Sequence, residues 1–148
     1  MVVWGLEAVI NYRKFRRGED SLAVRELFTS ERELSGYADA ALSADDFVAW
    51  VALDQRRLVG AVLTRAMTDP DGAKRGGVDE LLVAAGYRER GIARLLMELA
   101  EEHYRQAGAC GMQLTVRDGN APAQDLYASM GYRVVQRRLR MRKDWDDT

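Results

Sequence analysis

The amino-acid sequence predicts a single mixed α/β domain in which helices flank a central sheet. Two observations lead to this class. Apolar runs of strand length occupy the middle of the chain, and segments with helical spacing follow the fourth and fifth strand candidates. The chain has 148 residues, the length of one domain of average size, and no linker or internal repeat divides it. We therefore expect one domain over residues 1–148.

Six segments are candidate strands. Those in the middle of the chain are almost continuously apolar, as is typical of strands covered on both faces, and the polar turn 54–57 joins two of them into a hairpin. A loop that contains Pro70 and three glycines precedes the fourth. The last segment supplies one strand or a strand pair. The candidates are residues 7–15, 47–53, 58–63, 78–83, 112–116 and 132–141.

Four segments are candidate helices. Ser21 or Asp20 can cap the first, and the second, within residues 30–46, is short and only weakly periodic. The third begins at Gly91 and has a well-defined apolar face. The fourth begins at Asn120, whose side chain can cap the free N–H groups of its first turn.

Composition and charge exclude several classes of protein. The net charge is −1, whereas a general nucleic-acid binder is markedly more basic. A single cysteine, Cys110, excludes a disulfide framework, and a single histidine, His103, leaves too few ligands for a typical zinc enzyme. We expect Cys110 to be a small buried residue and His103 to lie at the surface or at its boundary. Without an apolar stretch of 18 residues or a secretory leader, the expected location is cytoplasmic.

The segment Val78–Ala93, VDELLVAAGYRERGIA, has the features of an anion-binding turn. A strand ends, a short turn follows, and a helix begins at Gly91. The N–H groups of a helix's first turn lack intrahelical acceptors, and the helix dipole adds partial positive charge. Three arginines add cationic donors: Arg88, Arg90 and Arg94. These features predict a pyrophosphate cradle, and an ordinary strand–turn–helix with exposed arginines is the alternative.

Two sequence motifs lie in this part of the chain, one within the turn before the third helix and one in the fourth helix. The first is Arg88-x-x-Gly91-x-Ala93, which resembles the acetyl-CoA signature of the GNAT family of N-acetyltransferases, Gln/Arg-x-x-Gly-x-Gly/Ala. The second is Asn120-x-x-Ala123-x-x-Leu126-Tyr127-x-x-x-Gly131-Tyr132, which is similar to that family's later segment, N-x-x-A-x-x-L-Y-x-x-x-G-F. The resemblance is strongest over residues 78–135, and the order of elements extends it across most of the chain.

The resemblance implies a GNAT-like α/β (α+β) fold: a mixed, mostly antiparallel central sheet of six to seven strands, flanked by about four helices. It implies acetyl-CoA as co-substrate and no metal. The pantetheine arm would lie between splayed strands four and five, and the backbone amides from Arg88 to Ala93 would bind the pyrophosphate. Asn120 is either a cofactor contact or a plain helix cap, or both. The implied cofactor-binding residues are Leu82, Val83, Arg88, Glu89, Arg90, Gly91, Ile92, Ala93, Arg94 and Asn120.

The catalytic candidates follow from the same resemblance. Tyr127 matches the position of a general acid that protonates the departing thiolate, and the alternative is a core-packed tyrosine. Asp79 and Glu80 are candidates for the base that deprotonates the amine, and the alternative is a pair of solvated carboxylates. Strand alternation predicts that these two side chains point to opposite faces, so that only one enters the acceptor site. Asp45 or Asp46 could add negative charge there.

The sequence therefore predicts an enzyme that transfers acetyl from acetyl-CoA to a primary amine by direct attack in a ternary complex. We expect the acceptor to be a small molecule rather than a protein, with no nucleic-acid or membrane partner, and the prediction allows for a homodimer. The alternatives are a non-catalytic acyl-CoA-binding sensor domain and a plain structural domain. One departure from the family concerns residues 132–145, which leave room for only a tight turn or one bent strand. Their basic side chains form a solvated face or contact the 3′-phosphate of CoA.

Overall fold

The computed structural model describes residues 9–31, 42 and 46–145. These residues contain one sheet of five strands in the order β1-β2-β3-β4-β5, together with three α-helices. The elements are β1 Ile10–Lys14, α1 Ser21–Glu31, β2 Phe47–Asp54, β3 Arg57–Thr68, β4 Lys74–Val83, a 3₁₀ turn Ala85–Tyr87, α2 Ile92–Gln106, β5 Met112–Leu114 and α3 Ala121–Ser129. The mixed α/β class with one sheet is confirmed.

The sheet is mostly antiparallel, as expected. Strands β1 to β4 pair in sequence order as antiparallel neighbours, and only β4 and β5 pair in parallel. Six consecutive residues of β3, 59–64, are buried, so both faces of this strand are covered. Helix α1 packs against β3 and β4, and α2 packs against β2, β3 and β4. The apolar runs of the sequence predicted this central position.

The number of elements differs from the expected six to seven strands and about four helices. Most of residues 30–46, the predicted short helix, lies outside the described residues. The predicted last strand, residues 132–141, is not a strand, and its apolar side chains Val134, Val135, Leu139 and Met141 are exposed. A strand needs a hydrogen-bonded neighbour, and none of the strand pairs among the described residues includes this segment.

The chain divides into two units, residues 1–115 and 116–148. The whole sheet, α1 and α2 belong to the first unit, and α3 belongs to the second. That both units form one acetyltransferase domain stays a prediction.

Strands β4 and β5 share only a short ladder. Gly76–Val78 pairs with Met112–Leu114, whereas β4 continues to Val83 without pairing to β5. On its other side, β4 stays paired with β3 as far as Val83. Residues 79–83 of β4 therefore present one edge of backbone N–H and C=O groups to which β5 does not bond. The ladder ends where β5 ends, and the expected splaying of the fourth and fifth strands stays a prediction.

A β-bulge interrupts β4 within the same segment. On β3, Leu63 pairs with Glu80 and the next residue, Thr64, pairs with Val78, so Asp79 is the extra residue. Thr64 is fully buried, and its hydroxyl donates to the Val48 carbonyl at 2.6 Å. Because that hydroxyl has one proton, the Tyr104 hydroxyl at 2.8 Å is the donor to Thr64. Burial raises the pKa of Tyr104, which keeps this phenol protonated as a donor. The hydrogen bonds fix β3 opposite the bulge.

The packing of α2 on the β4–β5 ladder generates a test of stability. A Cβ atom added at Gly76 would overlap the Tyr104 ring and lie 2.7 Å from the Met112 sulfur. Gly76→Ala is expected to reduce the free energy of unfolding by about 1–3 kcal/mol, the usual cost of overpacking a core. Chemical denaturation measures the change. Gly86→Ala is the matched control, because a Cβ there has no neighbour within 4 Å. Equal denaturation midpoints for the two variants would contradict this packing.

Candidate active site

The end of β4 is tied to the turn that follows it. Leu82 and Val83 are buried, and the Ala84 N–H donates to the Val59 carbonyl of β3 at 2.8 Å. The Arg88 Nε then donates to the Val83 carbonyl at 3.1 Å. These bonds hold the predicted pantetheine strand and the predicted pyrophosphate turn in one arrangement.

The turn before α2 has two residues in the left-handed region. Glu89 has φ 62° and Gly91 has φ 79°, and Gly91 is the N-cap of α2. Glycine is suited to this position because L side chains are strained at positive φ. A Cβ added at Gly91 would have no neighbour within 4 Å, so the space in front of this backbone is open. The predicted strand–turn–helix is confirmed, and the positive φ at its N-cap explains why residue 91 is a glycine.

The first turn of α2 has the properties of an anion site. The first intrahelical hydrogen bond runs from the Leu95 N–H to the Gly91 carbonyl at 3.1 Å. The N–H groups of Ile92, Ala93 and Arg94 precede it and have no acceptor within the helix. The buried side chain of Ile92 anchors this end of α2. The exposed Arg90 stands immediately before Gly91. N–H groups without intrahelical acceptors, the helix dipole and nearby guanidinium groups together favour a bound phosphate.

A contact that the sequence analysis missed lies beside this turn. The Tyr87 hydroxyl donates to the carboxylate of Asp54, at the end of β2. The guanidinium carbons of Arg57 and Arg90 lie 5.6 Å and 5.2 Å from the centre of the Tyr87 ring. The hydrogen bond to Asp54 is the main cause of a raised pKa at Tyr87. Tyr87 and Asp54 are 33 positions apart, and no motif signals their contact.

The bulge affects the expected arrangement of Asp79 and Glu80. Leu63 and Thr64 are neighbours on β3 and point to opposite faces, and so therefore do their partners Glu80 and Val78. The Arg65 Nε donates to the Asp79 carboxylate at 2.9 Å. Because Asp79 is the extra residue of the bulge, regular alternation does not assign its face, and the expectation that Asp79 and Glu80 point to opposite faces stays a prediction. Asp79 is an ion-paired carboxylate rather than a solvated one.

Asn120 and Tyr127 lie in the second unit. Asn120 is the N-cap of α3, and its side-chain oxygen accepts from the Ala123 N–H at 3.3 Å. The cap role is therefore confirmed, while the cofactor role stays a prediction. Tyr127 is half-buried on α3, and its ring meets the Tyr132 ring edge-on at 5.7 Å.

Of the remaining candidates, one expectation is wrong. Cys110 is exposed rather than buried: it lies in the loop between α2 and β5, where its N–H donates to the Lys74 carbonyl at 2.9 Å while its side chain faces solvent. His103 is at a boundary, as expected: it is half-buried against Trp50, and burial is the main cause of its lowered pKa. Asp46 is an exposed residue before β2, and Asp45 lies outside the described residues.

The described ranges contain neither a cluster of metal ligands nor a helix that could span a membrane. Within residues 9–31, 42 and 46–145, no three His, Cys, Asp or Glu side chains come together as metal ligands would. None of the helices in the same ranges has the length and apolar character needed to cross a bilayer.

The comparison with protein families decides the classification. A sequence profile described as the acetyltransferase (GNAT) family matches residues 12–132. The match includes all three helices and every strand, apart from the first two residues of β1. The chain belongs to the GNAT family. This GNAT chain thus carries both motifs on which the resemblance depended within one continuous match.

Two curated relatives of this GNAT chain are acetyltransferases. Streptothricin acetyltransferase of Streptomyces lavendulae is 40% identical over 55 residues, 37% of this chain and 29% of the relative. The ribosomal protein bS18-alanine N-acetyltransferase of Salmonella typhimurium is 31% identical over 96 residues, 65% of this chain and 55% of the relative. The matches thus span between about a quarter and about half of the relatives' lengths.

A solved structure extends the similarity of fold across the GNAT chain. The aminoglycoside N-acetyltransferase AAC(6′)-Iy in complex with CoA has a TM-score of 0.76 and 17% sequence identity. The match covers 91% of this chain and 100% of that one. At this identity the likeness concerns the fold alone.

Proposed function

We propose that this chain is an acetyl-CoA-dependent N-acetyltransferase that moves the acetyl group to a primary amine by direct attack in a ternary complex. One observation carries the proposal: the start of α2, whose first N–H groups lack intrahelical acceptors, follows β4 after one turn, and the last five residues of β4 have an edge not paired with β5. The GNAT match and the acetyltransferase relatives support it.

Coenzyme A fits the two parts of this arrangement. Its pyrophosphate would accept hydrogen bonds from the backbone N–H groups of residues 88–93, with charge supplied by Arg88, Arg90 and Arg94. Its pantetheine arm contains amide groups that need hydrogen-bond partners. The backbone edge near Leu82 and Val83 offers such partners in the spacing of a strand, so the arm would extend the sheet where β5 does not.

The reaction requires stabilisation of charge at three places. The neutral amine attacks the thioester carbon, the carbonyl oxygen becomes negative, and the carbon–sulfur bond then breaks to release a thiolate. Backbone N–H groups of β4 near the bulge would stabilise the oxyanion. Tyr127 would donate its phenolic proton to the thiolate as the negative charge develops. Glu80 would accept the proton that the amine loses, directly or through water, while Arg65 holds Asp79 beside it.

The acceptor is proposed to be a small-molecule amine. Two of the similar proteins act on antibiotics, as their names state, and one acts on a ribosomal protein. The test is thiol release from acetyl-CoA with a panel of aminoglycosides, streptothricin, polyamines and a peptide with an N-terminal alanine. Release with a small amine supports the proposal. Release with the peptide alone contradicts the acceptor class, and binding of acetyl-CoA without release by any amine favours the sensor-domain alternative.

A cytoplasmic location, where acetyl-CoA is available, is part of the same proposal.

The first prediction concerns the start of α2. Gly91→Glu places a carboxylate in the open space before the helix and is expected to weaken acetyl-CoA binding by about 100-fold or more, because like charges brought together at a contact cost several kcal/mol. Calorimetry measures the affinity. Gly108→Glu is the matched control, because Gly108 also has a positive φ and open space but follows the other end of α2. A folded Gly91→Glu protein with unchanged affinity would remove the cradle assignment.

The second prediction concerns Tyr127. Tyr127→Phe keeps the ring and removes the hydroxyl, so folding and acetyl-CoA affinity should persist while kcat falls by about 100-fold. Steady-state kinetics under conditions where chemistry limits turnover measure the change. Tyr132→Phe, which alters the ring that Tyr127 contacts, should leave kcat near its original value. If Tyr127→Phe also leaves kcat unchanged, Tyr127 is a packing residue only.

The third prediction separates the two carboxylates. Glu80→Gln is expected to lower kcat by about 10²- to 10⁴-fold, the range for loss of a general base, without changing acetyl-CoA affinity. Asp79→Asn should have the smaller effect, and Arg65→Gln should reproduce it because both variants break the same ion pair. Amine-dependent rates across pH provide the measurement. Wild-type rates for Glu80→Gln would assign the base to another group.

A further inference from the structure

The turn between β2 and β3 meets the turn before α2 through Tyr87. The Tyr87 hydroxyl donates to the Asp54 carboxylate, which fixes the ring between two loops that are far apart in sequence. Arg57, the first residue of β3, and Arg90, directly before the N-cap of α2, both place their guanidinium groups near this ring. We call these three residues, Arg57, Tyr87 and Arg90, the Tyr87 platform.

The platform has two positive charges, from Arg57 and Arg90, against the single negative charge of the neighbouring Asp54 carboxylate. Its two guanidinium groups lie 5.6 Å and 5.2 Å from one ring centre, and the nearby Asp54 carboxylate already accepts the Tyr87 hydroxyl. Within the described part of the chain, neither Arg57 nor Arg90 forms an ion pair. Both residues are exposed. Contact with the ring orients each guanidinium but adds no negative charge. The platform can therefore accept an anion from solvent.

Coenzyme A carries a second anion close to its pyrophosphate. Besides its pyrophosphate, it carries a phosphomonoester on the 3′ oxygen of its ribose. The pyrophosphate and this second phosphate are separated only by the ribose, so a subsite for the second must lie beside the cradle. Arg90 adjoins Gly91 in the chain, and the platform extends positive charge from there to Arg57.

We propose that the Tyr87 platform binds the 3′-phosphate of CoA, so that this chain distinguishes CoA from 3′-dephospho-CoA. This proposal rests on the proposed function, because it assigns a part of the same cofactor. Arg57 and Arg90 donate hydrogen bonds to the phosphate oxygens, and Tyr87 acts as a positioning residue that holds both guanidinium groups.

The basic residues near the end of the chain are the competing candidates for this phosphate. Several of them already have partners in their own unit. Arg137 donates to Asp118 at 2.9 Å, Arg142 donates to Asp144 at 2.8 Å, and Arg138 donates to Gln136 at 3.1 Å. Among the residues that the structure describes, Arg57 and Arg90 take part in no such ion pair or side-chain hydrogen bond, which favours the platform.

The test compares two ligands that differ only in the 3′-phosphate. Calorimetry gives the Kd of CoA and of 3′-dephospho-CoA for the wild-type chain, Arg57→Gln, Arg56→Gln and Arg140→Gln. The wild-type chain should prefer CoA by about tenfold or more, as expected for a charge-assisted contact. Arg57→Gln should weaken CoA binding and so reduce the preference for CoA, with the remainder due to Arg90, and should leave dephospho-CoA binding unchanged. Arg56→Gln, an exposed neighbour with the same charge change, should keep the full preference.

Each other outcome overturns the proposal. A wild-type Kd equal for the two ligands means that the 3′-phosphate is not recognised. Equal weakening of both ligands by Arg57→Gln assigns Arg57 a general effect on the cradle. Loss of the preference in Arg56→Gln or Arg140→Gln, with Arg57→Gln unaffected, places the phosphate elsewhere. If the wild-type chain binds neither ligand, the proposed function is contradicted as well. If the chain binds CoA and transfers acetyl, but its preference for CoA over dephospho-CoA is the same in Arg57→Gln, only the platform is contradicted.

Discussion

Strands β4 and β5 pair in parallel over only three residues, and the candidate site depends on that short pairing. The ladder is bounded on one face by the Tyr104 ring, which sits directly against Gly76 and beside Met112. Beyond Val78, β4 continues with β3 as its neighbour, and its other edge is not bonded to β5. A fully paired β4 would have no backbone groups available for an extended ligand. The same strand then leads, through a turn with two left-handed residues, into the N-terminus of α2.

Electrostatics and backbone geometry act together at this junction. Gly91, with its positive φ, begins α2 and places no side chain in front of the N–H groups that lack intrahelical acceptors, and Arg88 bonds back to the end of β4. The Tyr87 platform, which joins the turn before α2 to the start of β3, adds the guanidinium groups of Arg57 and Arg90. Because each of these groups is fixed by a hydrogen bond, a ring contact or helix geometry, a ligand with two separated phosphates would meet preorganised charge. Preorganisation lowers the entropy that binding would otherwise cost.

The sequence predicted those parts of the site that depend on local geometry. A glycine at the start of an amphipathic helix, arginines around it and a strand before it that ends in Leu81, Leu82 and Val83 are features of adjacent residues, and the structure has all three. The bulge at Asp79 could not be predicted in this way, because register belongs to a pair of strands and is visible only when Leu63 and Thr64 have partners. The contact of Tyr87 with Asp54 joins two turns, and the exposure of residues 134–141 reflects a missing strand neighbour. Strand propensity reports none of these long-range relations.

The central claim is that acetyl-CoA binds along the edge of β4 that does not pair with β5, and at the start of α2. Hydrogen–deuterium exchange of the wild-type chain, with and without saturating acetyl-CoA, tests this claim most directly because it reports on backbone amides. The account predicts slower exchange in the segments that contain residues 79–83 and 88–94, with β1 and the beginning of β2 unchanged. Protection by acetyl-CoA that is absent from both of these segments, at a concentration where calorimetry shows the ligand bound, would contradict it.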